Sequence, residues 1–135
     1  MNVNEIKTET ASIRLNKNGI IYVINNPGSK VNVIHAKEHV EATKRFGNTK
    51  HPIIVDISKI KSVTREAREY FASEKTAEVT TGIAVIVGSP VSKIVGNFLI
   101  RLNKPYYPIK LFTSEKKAKE WLQQFIDDWK LVNNE

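Results

Sequence analysis

The stretch that most limits the fold of this chain is GIAVIVG, residues 82–88. Every residue between its two glycines is apolar, and four of those five are β-branched. A strand with one face in water alternates apolar and polar residues, so an unbroken apolar run indicates a strand covered on both faces. Such strands are typical of parallel sheets with helices on both sides. We therefore start from an α/β fold with residues 82–88 inside it.

The rest of the chain alternates between strand and helix patterns. Asn18-Gly19 is a strong hairpin signal, because both residues tolerate positive φ. Predicted strands cover 11–16 at a sheet edge, 20–24, 53–57, 82–88 and 109–112, and predicted helices run from Asn32 to about Gly47, from Thr64, from Ser89 to Asn103, and from Thr113 or Ser114. We predict one α/β domain over residues 1–135, with an N-terminal β-hairpin followed by alternating helices and strands. Its sheet is mainly parallel, of about five strands with four helices.

The helix predicted after Ser89-Pro90 is strongly amphipathic. Its apolar residues follow the i, i+3, i+4, i+7 spacing of a core-facing helix, and we expect all six to face inward: Val91, Ile94, Val95, Phe98, Leu99 and Leu102. Ile100 falls off that face and is expected to be exposed. Gly96 costs about 1 kcal/mol against alanine in a helix, which suggests a close approach of another backbone or of a ligand.

Composition limits the classes of function. The chain has 135 residues, no cysteine and a net charge of +7. The lack of cysteine excludes disulfides, thiolate metal sites and cysteine nucleophiles, and the absence of an apolar N-terminal run or spanning segment predicts a cytoplasmic protein without membrane insertion. Between Glu78 and Glu115 there is no carboxylate, while four cations fall there: Lys93, Arg101, Lys104 and Lys110. This imbalance favours acidic partners, although a solvated basic surface explains it as well.

The order of elements resembles the STAS domain, the fold of bacterial anti-sigma-factor antagonists. The segments TREAREYF and AVIVGSPVSKIVGNFLIRLNKPYYPIKLF and the closing EWL look like a family of small uncharacterised bacterial STAS-like proteins. The resemblance runs from about Ser12 to Trp129. It implies the fold and a protein-interaction or regulatory role.

The resemblance also bears on a phosphorylation site. In the antagonists, the strand that corresponds to residues 53–57 ends in an Asp-x-Ser stretch. A second Asp, followed by a phosphorylatable Ser, lies at the start of the next helix. Here Asp56-Ile57-Ser58 matches the first part, but Thr64 stands where the second Asp would be and Arg65 where the phosphoserine would be. Phosphorylation of Thr64 or Ser62 would place negative charge at a helix N-terminus. The alternative is that Thr64 is a plain N-cap.

Ligands and partners usually bind where parallel strands end. Two turns follow neighbouring strands here, one after Asp56 and one at Gly88-Ser89, and we expect them to converge into one edge. The candidate residues at this edge are Asp56, Ser58, Ser62, Thr64, Arg65, Ser89, Ser92 and Lys93. Free backbone N–H groups, hydroxyls and a lysine could hold a phosphate or carboxylate, whereas the alternative is a set of well-capped helices.

Two other patterns in the sequence resemble functional sites. His35-Ala36-Lys37-Glu38-His39 is a literal H-x-x-E-H, a zinc-peptidase pattern, but we expect both histidines to point to water, away from the apolar side of their helix, and we assign no catalytic or metal site. Basic and aromatic side chains alternate at Arg101, Lys104, Tyr106 and Tyr107. This combination suits stacking on single-stranded nucleic acid. The same surface suits a dimer contact or an apolar pocket, as in the CRAL-TRIO lipid carriers.

We predict a non-enzymatic STAS-like protein-interaction or regulatory module that needs no cofactor. The expected partner is another protein, with a homodimer as a further possibility. The alternative is a carrier or sensor of a small acidic or lipid-like ligand, and nucleic-acid binding is less favoured.

Overall fold

The computed structural model describes residues 4–47, 49–102 and 106–133, with the side chains of the last helix described as far as Asp127. The elements in chain order are β1 (Glu5–Lys7), β2 (Ala11–Leu15), β3 (Ile21–Asn25), β4 (Lys30–Val31), α1 (Val33–Lys44), β5 (His51–Asp56), β6 (Ser62–Val63), α2 (Arg65–Phe71), α3 (Glu74–Ala77), β7 (Thr80–Ile86), α4 (Pro90–Leu102), β8 (Ile109–Phe112) and α5 (Glu115–Asn133).

The main sheet has six strands in the order β1-β2-β3-β5-β7-β8. β1, β2 and β3 pair antiparallel, and β3, β5, β7 and β8 pair parallel. The predicted α/β domain with a hairpin and a mainly parallel sheet is confirmed. Two details were wrong. β2 is not an edge strand, because the short β1 lies outside it, and a second small sheet pairs β4 with β6. The four predicted helices are present, and a single helical turn, α3, is added.

Helices cover the two faces of the sheet unequally. Residues of β5 alternate between faces, so Ile53 points to one side and Ile54 to the other. Helices α1, α2 and α4 supply Ala36, Ala67 and Val95 to the Ile53 side. Among the described residues, α5 is the helix that covers the Ile54 side, through Ala118, Leu122 and Ile126. β7 is thus buried on both faces, as its unbroken apolar run predicts.

The first helix begins where the sequence indicated but ends at Lys44, three residues before Gly47. The Asn32 side chain accepts hydrogen bonds from the backbone N–H groups of Ile34 and His35. The Asn32 backbone N–H in turn donates to Nδ1 of His35 at 3.0 Å, which completes a capping box with histidine in the usual place of glutamate. Gly47 lies just beyond the helix at φ +128°.

Helix α4 buries a narrower face than its pattern predicts. Val95 and Leu99 are buried, but Val91, Ile94 and Phe98 are 42%, 61% and 37% exposed. The reason is that sheet and neighbouring helices cover only one side of α4, so the outer part of its apolar stripe stays in water. The predicted exposure of Ile100 is confirmed. The predicted helix end at Asn103 lies outside the described residues.

The expectation for Gly96 was only partly right. A close approach exists, since a Cβ built on Gly96 would lie 2.8 Å from Cδ2 of Leu111 and 3.1 Å from Cγ1 of Val87. The approaching atoms belong to side chains and not to another backbone: Leu111 of β8 and Val87, which follows β7. The glycine therefore allows α4 to sit directly on β8.

Candidate functional site

The two turns predicted to converge do lie against each other. The backbone N–H of Ser89 donates to the carbonyl oxygen of Ser58 at 3.2 Å. A Cβ on Gly88 would lie 3.2 Å from Cβ of Ser58, so a side chain here would require Ser58 to shift by a few tenths of an ångström. The turn after β5 and the turn before α4 therefore form one continuous surface at the carboxyl end of the parallel strands. We refer to this surface, from Asp56 to Arg65 and from Ser89 to Lys93, as the binding edge.

Asp56 organises its own turn. Oδ1 of Asp56 accepts hydrogen bonds from the backbone N–H of Ser58 at 2.8 Å and from its hydroxyl at 2.6 Å. The Asp56 carbonyl accepts a third bond, at 3.1 Å, from the side-chain amide of Asn25 on the neighbouring strand β3. Because the carboxylate already holds the Ser58 hydroxyl, the pair stiffens the start of the binding edge.

The start of α2 is a capped helix end. The Thr64 hydroxyl oxygen accepts from the backbone N–H of Ala67 at 3.2 Å, which is the plain N-cap geometry. Arg65, at the register of the antagonists' phosphoserine, is exposed and pairs with Glu69 at 3.2 Å. Ser62 is exposed in β6 and lies opposite Lys30 of β4. These three side chains reach solvent at one end of the edge.

The start of α4 differs from its prediction at Ser92. This side chain is fully buried; its hydroxyl accepts from the backbone N–H of Gly88 at 2.8 Å and donates to the carbonyl of Ser89 at 2.7 Å. The Ser89 hydroxyl oxygen accepts from the backbone N–H of Ser92 at 3.1 Å. Ser92 therefore stabilises the turn from inside. The prediction that its hydroxyl is available to a ligand was wrong. Lys93 is exposed, as expected.

The predicted basic and aromatic surface does not exist as one unit. Tyr107 is buried, and its hydroxyl donates to the carbonyl of Phe71 at 2.7 Å. Burial raises the pKa of this phenol. Tyr106 is 45% exposed, Arg101 lies against Phe98, and Lys104 lies outside the described residues. Tyr107 thus cannot stack on a base, which removes the aromatic pair on which that prediction depended.

A different surface emerges on α4. The exposed stripe of Val91, Ile94 and Phe98 is bordered by two guanidinium groups, whose central carbons lie 4.6 Å (Arg68) and 4.9 Å (Arg101) from the centre of the Phe98 ring. These are cation–π distances. We call these five residues the α4 surface. Arg68 is half-buried and donates to the Val63 carbonyl at 2.7 Å. Local periodicity gave no signal for this arrangement, because Arg68 comes from a neighbouring helix.

The two histidines of the H-x-x-E-H pattern are buried, contrary to the prediction. Nε2 of His39 lies 2.9 Å from the Thr10 hydroxyl, and Nε2 of His35 lies 3.2 Å from a Glu9 carboxylate oxygen. Burial, and to a lesser extent the nearby His35, lower the pKa of His39 to about 4. The ring of His39 also faces Phe71 at 5.8 Å between centroids. Their side of α1 was expected to be in water, but β2 and α2 cover it.

Among the described residues, no group of three or more His, Asp or Glu side chains is placed to hold a metal ion. In the same residues, none of the helices is long and apolar enough to cross a bilayer.

An apolar cavity of about 70 Å³ lies between the sheet and helices α1, α2 and α4. Most of its wall is aliphatic, and its polar lining includes His39, Thr43, Thr76 and Tyr107. The aliphatic lining includes Val23, Val40, Ile53, Val63, Val85, Val95, Leu99 and Ile109. Sequence reasoning proposed an apolar pocket near Gly96 and Tyr107 but could not locate this one, because its wall is assembled from segments far apart in the chain.

Comparison with solved structures defines the class of fold. A crystal structure of an uncharacterized protein from the DUF3478 family of Shewanella loihica PV-4, described as having a SpoIIAA-like fold, matches with a TM-score of 0.58 at 13% identity, covering 87% of this chain and 98% of that chain. At this identity the likeness shows the fold alone: it is SpoIIAA-like, the STAS fold that the resemblance predicted. No curated protein matches the chain. Residues 13–126 match the model of the family described as Domain of unknown function (DUF7793), and the chain belongs to that family.

Proposed function

We propose that this protein is a non-enzymatic STAS-like interaction module that binds another protein through its binding edge. The observation that carries the proposal is the hydrogen bond from the Ser89 N–H to the Ser58 carbonyl, which joins two turns into one preformed surface. Preformed surfaces lose little conformational entropy on binding. Of the candidate residues identified from the sequence, Ser62, Thr64, Arg65 and Lys93 are exposed on that surface.

The hydroxyl groups of the edge support binding rather than catalysis. Ser58 donates to Asp56, Ser92 donates to the Ser89 carbonyl, and Thr64 caps a helix. A nucleophilic hydroxyl needs a neighbouring base that takes its proton and is itself oriented by a third group. The Ser58 hydroxyl donates to Asp56, which uses the same oxygen to accept the Ser58 backbone N–H. The hydroxyl groups of Ser58, Thr64 and Ser92 thus hold turns and helix ends in place.

The test is partner capture with variants that add negative charge to the edge. Wild type, Thr64→Glu and Lys93→Glu would be immobilised, exposed to lysate of the source organism, and compared by quantitative mass spectrometry. Lys17→Glu is the matched control for Lys93→Glu, because it makes the same charge change on an exposed residue in the β2–β3 hairpin turn, away from the edge. We expect a partner that is retained by wild type and Lys17→Glu and depleted by the edge variants. Unaltered capture by both edge variants would remove the edge from the proposal.

Phosphorylation of Thr64 or Ser62, a cytoplasmic location and a homodimer remain predictions. Native mass spectrometry of the untagged protein from its own host tests the first and third together. An added phosphate mapped to Thr64 or Ser62 would support an antagonist-type switch. A bare mass would leave the constitutive interaction module.

The cavity favours a second candidate, binding of a small apolar ligand. Its volume of about 70 Å³ is roughly half that of an engineered cavity of about 150 Å³ that binds benzene. A compact apolar group fits this size, whereas a fatty chain requires α2 or α4 to move outward. The test is thermal denaturation under xenon, an apolar probe smaller than benzene, with Val95→Leu as the variant that fills the cavity. We expect a concentration-dependent rise in the midpoint of wild type that Val95→Leu abolishes; no rise in wild type counts against this candidate.

A further inference from the structure

We propose that the α4 surface is a docking site for an acidic amphipathic helix of a partner protein. This inference rests on the proposed interaction function and names the kind of partner. It concerns the outer face of α4, which begins at the binding edge and continues away from it.

The first argument is the apolar content of the surface. Val91, Ile94 and Phe98 lie at i, i+3 and i+7, so they form one stripe about 10 Å long. All three are more than a third exposed, and Ile94 is 61% exposed. Helix-in-groove recognition uses anchors with this spacing on facing helices. The stripe therefore matches two turns of a partner helix.

The second argument is charge complementarity. Arg68 and Arg101 flank the Phe98 ring, and Lys93 stands on the outer side of the same helix. The sequence has no carboxylate between Glu78 and Glu115, so α4 brings no counter-charge of its own. Guanidinium groups bind carboxylates through two parallel hydrogen bonds. A partner helix with apolar residues along one face and glutamate or aspartate beside them can cover the α4 stripe and pair with the arginines.

A second copy of this chain fits the surface less well. In a two-fold dimer the same patch contacts itself, which would bring the arginines of one α4 surface against those of the other. Like charges facing each other in an interface oppose association.

A lipid bilayer also fits less well. Membrane-surface helices bury bulky apolar residues into the lipid, but here the one aromatic ring is already flanked by two guanidinium groups. Ile94 is the sole side chain of the stripe that is more than half exposed. Such a shallow stripe suits a helix partner better than insertion into lipid.

The experiment uses the full chain and a fluorescent helical peptide of about 18 residues with leucine on one face and glutamate on the other. Its controls are the same peptide with lysine in place of glutamate and a scrambled peptide of the same composition. Ile94→Glu and Arg101→Glu are the test variants. Ile34→Glu is the matched control, because Ile34 is a 67% exposed isoleucine on another helix, α1. Circular dichroism verifies that each variant is folded.

We expect saturable binding of the acidic peptide by wild type and Ile34→Glu, with a loss of about tenfold or more in Ile94→Glu and Arg101→Glu. No saturable binding, or equal loss in Ile34→Glu, overturns the proposal. Two further arms identify other occupants. Sedimentation of vesicles containing anionic lipid that depends on Ile94 would assign the surface to membranes, and a dimer dissolved by Ile94→Glu would assign it to a second copy. Lysate capture that depends on the edge without acidic-peptide binding would sink this inference and leave the interaction function standing.

Discussion

The aromatic ring of Phe125 occupies the space that Gly82 leaves by having no side chain. A Cβ built on Gly82 would lie 2.8 Å from Cε2 of Phe125 and 3.0 Å from its Cζ. Gly82 is a residue of β7, and Phe125 belongs to α5, the one helix on its side of the sheet. This contact sets how closely α5 can approach the sheet, because the ring rests on the strand backbone.

Gly82→Ala should lower the free energy of unfolding by about 1–3 kcal/mol, because the added methyl group overpacks a rigid ring. Phe125→Leu alone should also destabilise, through loss of aromatic area. The double variant should lose less than the sum of the two, and urea unfolding of all four proteins in a double-mutant cycle measures the difference. Strict additivity would show that the ring and the glycine do not interact.

Tyr107→Phe should destabilise the protein by about 1–2 kcal/mol, because it leaves the Phe71 carbonyl without its donor. The adjacent Tyr106→Phe is the natural control; that residue is 45% exposed, and its substitution should change stability by less than about 0.5 kcal/mol. Chemical denaturation of both variants tests the pair. Equal stabilities would mean that the buried hydroxyl contributes nothing.

Stability should fall as the pH drops from about 6.5 towards 4. The pKa of His39 is lowered to about 4 in the folded protein, so between these values the unfolded chain binds a proton that the folded one does not. Full protonation corresponds to a loss of about 3 kcal/mol. His51, whose pKa is also lowered by burial, adds a loss of the same sign. Urea unfolding at pH 7, 5.5 and 4.5 should show a shallower pH dependence in His39→Gln than in wild type; an unchanged slope would contradict the assignment.

Ser92→Ala should cost about 1–3 kcal/mol, because it leaves the Gly88 N–H without its buried acceptor. Lys93→Ala, one residue on but exposed, should be nearly neutral to stability. If Ser92→Ala is neutral while it abolishes partner capture, Ser92 would be a contact residue after all. Thermal denaturation together with the capture assay separates the two roles.

Elements whose signals are local were predictable from the sequence. Asn32 caps α1, and the Ser89-Pro90 pair starts α4, because side chain and backbone partners lie within four residues of each other. The unbroken apolar run 82–88 identified β7 for the same reason, because consecutive residues of one segment indicate that both faces of the strand are buried. β1 was missed because its three residues are too few to show a period.

The errors at the site arose from contacts between distant segments. His39 was expected in water because the apolar pattern of α1 marks only part of its buried face, which Thr10 and Phe71 extend to His39. Tyr107 resembled a surface aromatic until the Phe71 carbonyl supplied its partner. The convergence of the edge was predictable because parallel strands end together. The α4 surface was not predictable, because the apolar pattern of α4 does not indicate which of its six residues are buried by neighbouring elements.

The single helix on the Ile54 side has a consequence for how the protein is made. By the time a ribosome has joined residue 112, all the strands described here and the three longer helices of the other side exist, yet the side bearing Ile20, Ile54 and Ala84 is bare. Residues 115–126, which cover it, take about one to two seconds to add at ordinary rates of translation. Because the ribosomal exit tunnel still encloses the most recently added residues, this side stays exposed to the cell until α5 has left the ribosome and packed. Chaperone engagement of this protein should therefore continue until α5 covers the sheet.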